Sequence, residues 1–589
     1  ARLNGMWSLE MTERQNMANK EASANNTLTE TGNWRLNWQW TNTATYTKKI
    51  HEDHNITVVL GTEAIKQGVG RYMQGTRIDY IFESDPNTWT LDNGSSSNIG
   101  NSSRYQRKVT MFGLFGRADY SYKGKYLATF TIRRDASSKF GSKNRWGNFP
   151  SASLGWRMSD EKFMEPTRKW LDDFKLRAGY GTTGNSNIGS YNYAFQYGTG
   201  NYYMYPITGS DSETSPGYVL SNLGDSDAKW ETTKMFNIGF DLTALSNRLT
   251  AGFDFYVKNT SDLLVPANWS ALVGNASKPS INIGDMKNRG IDLSIGWRDK
   301  VGEFGYNITA NISRYKNEVT RLGSSDLFND TRLSKVNITT VGQPVGMFYG
   351  YQIDGIYQNE QDVISSGVLP YGVATENDLV ASAWVGRYKM KDVNNDGKID
   401  ADDRTIIGNP HPDLTGGFNI SLTWRDFDLS TYMYYSIGND LYKHYEYYTM
   451  FGNLQSNYSK DRLAKSWDPV NNPNGIYPLW TTTSTEGPEA GNESNSNYVQ
   501  DGSYLRMQTL TLGYSLPKKL LKKIGFEKIR VYGQISNVFT ITGYDGLDPE
   551  VRSHTSFENE YVSSDMNKGI DYGSYGMPRQ FLMGVNVTF

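Results

Sequence analysis

The 589 residues carry 60 basic and 62 acidic side chains, a formal net charge of −2, and no cysteine. That balance offers no clustered basic excess for a nucleic-acid partner, and the missing cysteines exclude disulfides, thiolate metal sites and cysteine nucleophiles. Glycine (58), tyrosine (40) and tryptophan (15) are abundant, only 37% of residues are hydrophobic, and mean hydropathy is −0.60. No apolar run reaches about 18 residues, so no transmembrane helix is expected; a secreted all-β protein and a transmembrane β-barrel, whose alternating faces cancel, both fit.

The first residues, ARLNGMWSLEMTERQ, lack a charged segment followed by an apolar one and are not a signal peptide. They read as the middle of a strand, and a mature or truncated product is expected. From there, period-2 alternation of aromatic and β-branched residues predicts about 16 strands. They fall at 2–14, 33–48, 54–66, 107–122, 126–136, 148–158, 174–183, 229–243, 248–259, 287–297, 303–317, 413–424, 426–438, 502–515, 527–540 and 577–589. Several reach the ten or so residues that cross a bilayer at a tilt.

The connections are expected to alternate strictly between short and long. KIHEDHN (49–55), KGK (123–125), ALSNR (244–248), DKVGE (299–303), RD (425–426) and LPKKLLKKIGFEK (516–528) are short. Polar Gly/Asn/Ser-rich stretches near 67–106, 184–228, 260–286, 318–412, 439–501 and 541–576 are long. One rim with tight turns and another with large loops is the pattern of an outer-membrane barrel, and a sandwich or propeller gives no reason for it. The fold class expected is therefore all-β, a transmembrane antiparallel β-barrel with long extracellular loops. In the final FLMGVNVTF, Phe581, Met583, Val585, Val587 and Phe589 share one face. This end resembles the insertion signal of outer-membrane barrels, with Gly584, Val587 and Phe589 at its offsets, although Leu582 stands where a polar residue is usual; a buried last strand is the plainer reading.

Within the 318–412 loop, DVNNDGKIDADD has the oxygen spacing of a 12-residue calcium loop. Asp392, Asn394, Asp396, the Lys398 carbonyl, Asp400 and Asp403 occupy the ligand positions, Gly397 the sharp turn and Ile399 the inward apolar position. Asp403 stands where the longer Glu is usual. The flanks, GRYKMK and RTIIGNPHP, are too β-like and proline-bounded for the paired helices of a sensor. The expectation is a structural Ca²⁺ that staples a long loop; an Asx-rich turn that binds nothing is the alternative.

No other chemistry is legible. His51 and His54 sit in a solvated turn, GVGRYMQG (68–75) has no helix after it, and the acidic pairs Asp172-Asp173 and Asp402-Asp403 read as solvated charge. Nothing points to an enzyme. The aromatic run YNYAFQYGTGNYYMY (191–205), with Tyr349, Tyr351, Trp384, Tyr442, Tyr445, Tyr447 and Tyr448, suits ligand stacking or, more simply, loop packing and an interfacial girdle.

Taken together, TIRRDASSKFGSKNRWGNFPSASLGWRMSDEKFM (131–164), FKLRAGYGTTGN (174–185), VGQPVGMFYGYQIDGIYQNEQD (341–362), DDRTIIGNPHPDLTGGFN (402–419), DGSYLRMQTLTLGYSLP (501–517) and DYGSYGMPRQFLMGVNVTF (571–589) resemble the SusC/RagA-type TonB-linked outer-membrane transporters of Bacteroidota, in order over nearly the whole chain. The resemblance implies a cell-outer-membrane barrel of about 22 strands that imports oligosaccharides or peptides. It also implies a SusD-like lipoprotein lid and a TonB complex that acts through a plug. It places residue 1 several strands into such a barrel, so residues 1–589 are expected to be its C-terminal part, with plug and first strands outside. A passive porin of about 16 strands and a structural docking barrel are the alternatives.

Overall fold

The structure, a computed structural model, describes all residues except 1, 13–24, 83, 96–98, 107, 207–213, 267–275, 278, 324–325, 330–334, 452–456, 481–489, 519, 522–524, 552–563 and 574. The last two residues of the predicted strand 2–14 thus lie outside the described residues. Seventeen strands form one sheet, and each pairs antiparallel with its neighbours in the chain. Gly100–Tyr105 and Val109–Tyr122 both pair with His54–Ile78, so they act as one interrupted strand, and the sheet has the sixteen crossings expected. Its outermost members, Arg2–Thr12 and Gln580–Thr588, pair only with Thr27–Ile50 and Lys528–Thr542. The described strands therefore do not close into a ring.

Alternation decides the faces. Successive same-side pairs Trp297↔Ile308, Ile295↔Ala310 and Leu293↔Ile312, continued by exposed Leu60, Leu154 and Phe130, make one face apolar. The other carries paired charges: Arg133 bridges Glu63 at 2.6 Å and Asp135 at 2.8 Å, Arg177 meets Asp254 at 3.0 Å, and Lys175 meets Asp241 at 2.8 Å. Strands inside the sheet have a neighbour on each side to take their ladder hydrogen bonds, so there the apolar face can meet hydrocarbon without orphaned backbone groups, whereas Arg2–Thr12 and Gln580–Thr588 are each paired along one edge only.

The rim of tight turns follows from local chemistry. His51-Glu52 and Lys123-Gly124 adopt positive φ (47°, 56°, 53° and 68°), the twist-matched turn that closes a hairpin. Strict alternation in length does not hold, however. On the loop rim, 138–145 is short because Phe140 buries against Phe149, Ile188 and Trp230 in a small core. On the turn rim, 158–170 is longer, with 3₁₀ turns at Met158–Asp160 and Lys162–Lys169. Strands also outrun their predicted ends: Thr27–Ile50, His54–Ile78 and Ser280–Val301 extend well past the alternating windows. Once a neighbour supplies ladder hydrogen bonds, polar and Gly-rich sequence continues as strand.

Candidate functional site: the folded cap on the loop rim

Three connections, between Arg321 and Leu414, Ile437 and Tyr504, and Thr542 and Gln580, do not run as separate loops. Short strands tie them: Leu327–Asn329, Asn337–Thr339, Met347–Gly350 and Thr405–Gly408 form one sheet, Asp440–Tyr442 pairs with Val499–Asp501, and Tyr442 bridges Ile570. Their apolar residues converge on one core containing Val336, Phe348, Tyr388, Ile399, Trp467, Tyr498 and Ile570. Val336, Phe348, Tyr388 and Ile399 of the 318–412 stretch are thus buried against residues of the two other connections.

Polar groups inside the cap are specific. Lys443 Nζ bridges Glu446 Oε1 at 2.6 Å and lies 3.5 Å from Asp545, with both members of the pair buried. Burial pushes the Glu446 carboxyl up, against the pull of Lys443. His444 is 1% exposed, its ring packs 4.6 Å from that of Tyr572 and 5.7 Å from that of Tyr448, and among the described residues neither ring nitrogen has a hydrogen-bond partner. Burial pushes the His444 imidazole down to about 4. Tyr544 donates to Asp571 at 2.6 Å, and Arg506, on a sheet strand, grips Asp548 and Glu550. Together these contacts join the second and third connections and anchor the third to the sheet.

The calcium-like loop is a set of Asx turns. Asp392 accepts from the amides of Asn395 (2.6 Å) and Gly397 (2.8 Å), Asn394 from that of Asp396 (2.9 Å), and buried Asp403 from those of Val393 (2.9 Å) and Asp400 (2.8 Å). Gly397 sits at φ 85°, where a Cβ is strained, and Ile399 enters the cap core as its position predicts. Lys398, expected to offer only its carbonyl, also places its ammonium 2.5 Å from Asp400 and 3.8 Å from Asp396. Among the described residues no three acidic or histidine side chains converge as a metal site. The donor types suit a hard cation, but a cation would have to displace the lysine head.

The aromatics divide. Tyr351 and Tyr442 are fully buried cap residues, and burial raises the Tyr351 phenol to about 12; packing explains both. Phe195, Tyr197 and Tyr218 are exposed beside the loop rim, while the side chains of 199–205, including Tyr202, Tyr203 and Tyr205, lie outside the described residues. Periodicity over long windows missed the cap core. A finer signal was present in MFYGYQIDGIY (347–357), a run of short alternating segments broken by glycine. At the other end of the chain Gly584 lies under the Tyr532 ring, 2.5 Å from where a Cβ would stand. Val587 is opposite Ile529, and the Phe589 ring is 5.2 Å from Phe526.

An antiparallel meander with one apolar and one charged face, tight turns on one rim and a folded cap on the other is an outer-membrane β-barrel. The family model described as TonB dependent receptor-like, beta-barrel matches residues 2–538, and the chain belongs to that family of outer-membrane receptors and transporters. It is 34% identical over 497 residues to TonB-dependent receptor P3 of Formosa agariphila, covering 83% of this chain and 46% of that protein. To TonB-dependent receptor SusC of Bacteroides thetaiotaomicron it is 32% identical over 506 residues, covering 82% and 44%. The structure of the RagAB peptide transporter superposes with a TM-score of 0.78 at 25% identity, covering 100% of this chain and 59% of that one. The SusC/RagA resemblance read from the sequence is thus met. The chain spans about half the length of the curated relatives it matches.

Proposed function

We propose that the protein serves TonB-dependent uptake of oligosaccharides or peptides across the outer membrane, with a SusD-like surface lipoprotein seated on its cap. The observation that carries this reading is the cap itself: three connections share one core, which gives a partner a shaped surface on the rim where solute enters. Kinship with SusC and with the RagAB peptide transporter supports it. Energy would come from the TonB complex acting on a plug, together with the strands needed to close the ring. The test is purification of the native protein from outer membranes with identification of its partners, followed by conductance in planar bilayers. A co-purifying lipoprotein and a closed, non-leaking barrel are expected. A steadily conducting pore without partner would instead establish a passive porin, and stable partners without solute uptake a docking barrel.

We also propose that Ca²⁺ can occupy the 392–403 loop through Asp392, Asn394, Asp396, the Lys398 carbonyl, Asp400 and Asp403, with the Lys398 ammonium swung outward. Chelation would then open new protease sites near 390–405 and leave the sheet intact. Unchanged cleavage with and without chelator would remove the ion.

A further inference from the structure

On the apolar face of the sheet, near the loop rim, the cross-strand pattern breaks. Below lie Leu293 opposite Ile312; above them Ile291 is opposite Arg314, and Arg289 is directly opposite Lys316. Residues so opposed have their Cβ atoms about 5 Å apart, and like charges there are destabilising. Arg289, Arg314 and Lys316 are all exposed, and they line a cavity of 440 Å³ with Phe255 and Ile291. Among the described residues none of the three makes an ion pair or a side-chain hydrogen bond. Asp413 lines the same cavity and Glu318 faces Lys287 one row higher, yet neither is within ion-pair distance of them. Arg134, on the same face farther round the sheet, is by contrast stacked 5.0 Å over the Trp146 ring.

Height identifies the occupant. At roughly 3.3 Å per residue and a tilt of about 45°, Arg289 and Lys316 stand about 30 Å above the turn at Gly302, just beyond an apolar band of about 25 Å. Three unpaired cations at the headgroup level of the outer leaflet, above aliphatic side chains that suit acyl chains, complement a membrane-bound anion. We infer that Arg289, Arg314 and Lys316 form a site for the phosphorylated headgroup of an outer-leaflet glycolipid, its acyl chains lying along Ile291, Leu293 and Ile312.

The native protein in neutral phosphatidylcholine nanodiscs is titrated with phosphorylated lipid A, with dephosphorylated lipid A and with inorganic phosphate. Phosphorylated lipid A is expected to bind and the other two not. Combined Arg289→Gln, Arg314→Gln and Lys316→Gln should weaken it about a hundredfold, each basic residue near an anionic surface being worth roughly a factor of five. Lys143→Gln, on a separate loop and paired with Asp227, should change nothing. Equal binding of the dephosphorylated lipid would leave only apolar contact, equal competition by inorganic phosphate would make this a free-anion site, and undiminished binding by the triple variant would place the lipid elsewhere; each overturns the inference. If the triple variant fails to assemble, discrimination between the two lipids by the unaltered protein decides.

Discussion

Replacing Phe348 by alanine tests whether the cap is one cooperative unit. Phe348 is fully buried on the strand Met347–Gly350 of the first connection, its ring is 5.6 Å from that of Tyr442 in the second, and a Cβ at Gly569 in the third would stand 3.0 Å from its Cζ. The truncation removes a whole ring from a site that cannot collapse without moving three backbone segments, so the cost belongs with Phe→Ala core substitutions, about 3–5 kcal/mol. At about 1.4 kcal/mol per tenfold, the population with the cap open rises by two to three and a half orders of magnitude. Hydrogen exchange reads this at the amides of Tyr442 and Asp571, which bond to Gly569 and Tyr442 carbonyls at 2.9 and 2.8 Å. Both should lose protection together, while sheet amides keep theirs. Phe581→Ala, on the exposed face of the last strand, should leave the cap unchanged. Retained protection at Tyr442 and Asp571 in Phe348→Ala would refute a shared core.

Lys443→Met leaves Glu446 buried without its partner and should destabilise the cap by about 3–5 kcal/mol, whereas Lys443→Met with Glu446→Leu should recover most of that; protease resistance of the 438–503 connection compares them. His444 is held neutral, its folded pKa of about 4 below the ordinary value near 6.5. The opened cap therefore binds a proton first as pH falls, and stability drops between pH 6.5 and 4 by about 3 kcal/mol. Glu446, raised by burial, works in the opposite sense at the acid end, so His444→Phe in exchange measurements across this window should flatten the loss and isolate the histidine. Removing Phe589 should lower the yield of folded protein in the outer membrane if the terminal residues are an insertion signal. Gly584→Val, which must displace the Tyr532 ring, should weaken the last pairing; normal yield after loss of Phe589 would refute the signal.

Strand number and the two rims were legible because they are written in short-range terms. Side-chain period 2 marks crossings such as Tyr126–Ser137, and residues able to take positive φ, as in Lys123-Gly124, mark tight turns. The resemblance of ordered segments added the family, which no single periodicity carries. What the sequence by itself could not determine was where strands stop and what long connections do. Gly-rich His54–Ile78 continues as strand because its partners supply hydrogen bonds, and for the tyrosines of YKHYEYY (442–448) the sequence leaves ligand stacking beside loop packing and an interfacial girdle. Only tertiary structure places Tyr442 in a core and Lys443 against Glu446. Only tertiary structure, likewise, sets Arg289 opposite Lys316. Each of these depends on contacts between residues far apart in the chain, and burial and charge pairing are properties of such contacts, whereas alternation and turn chemistry are properties of neighbours.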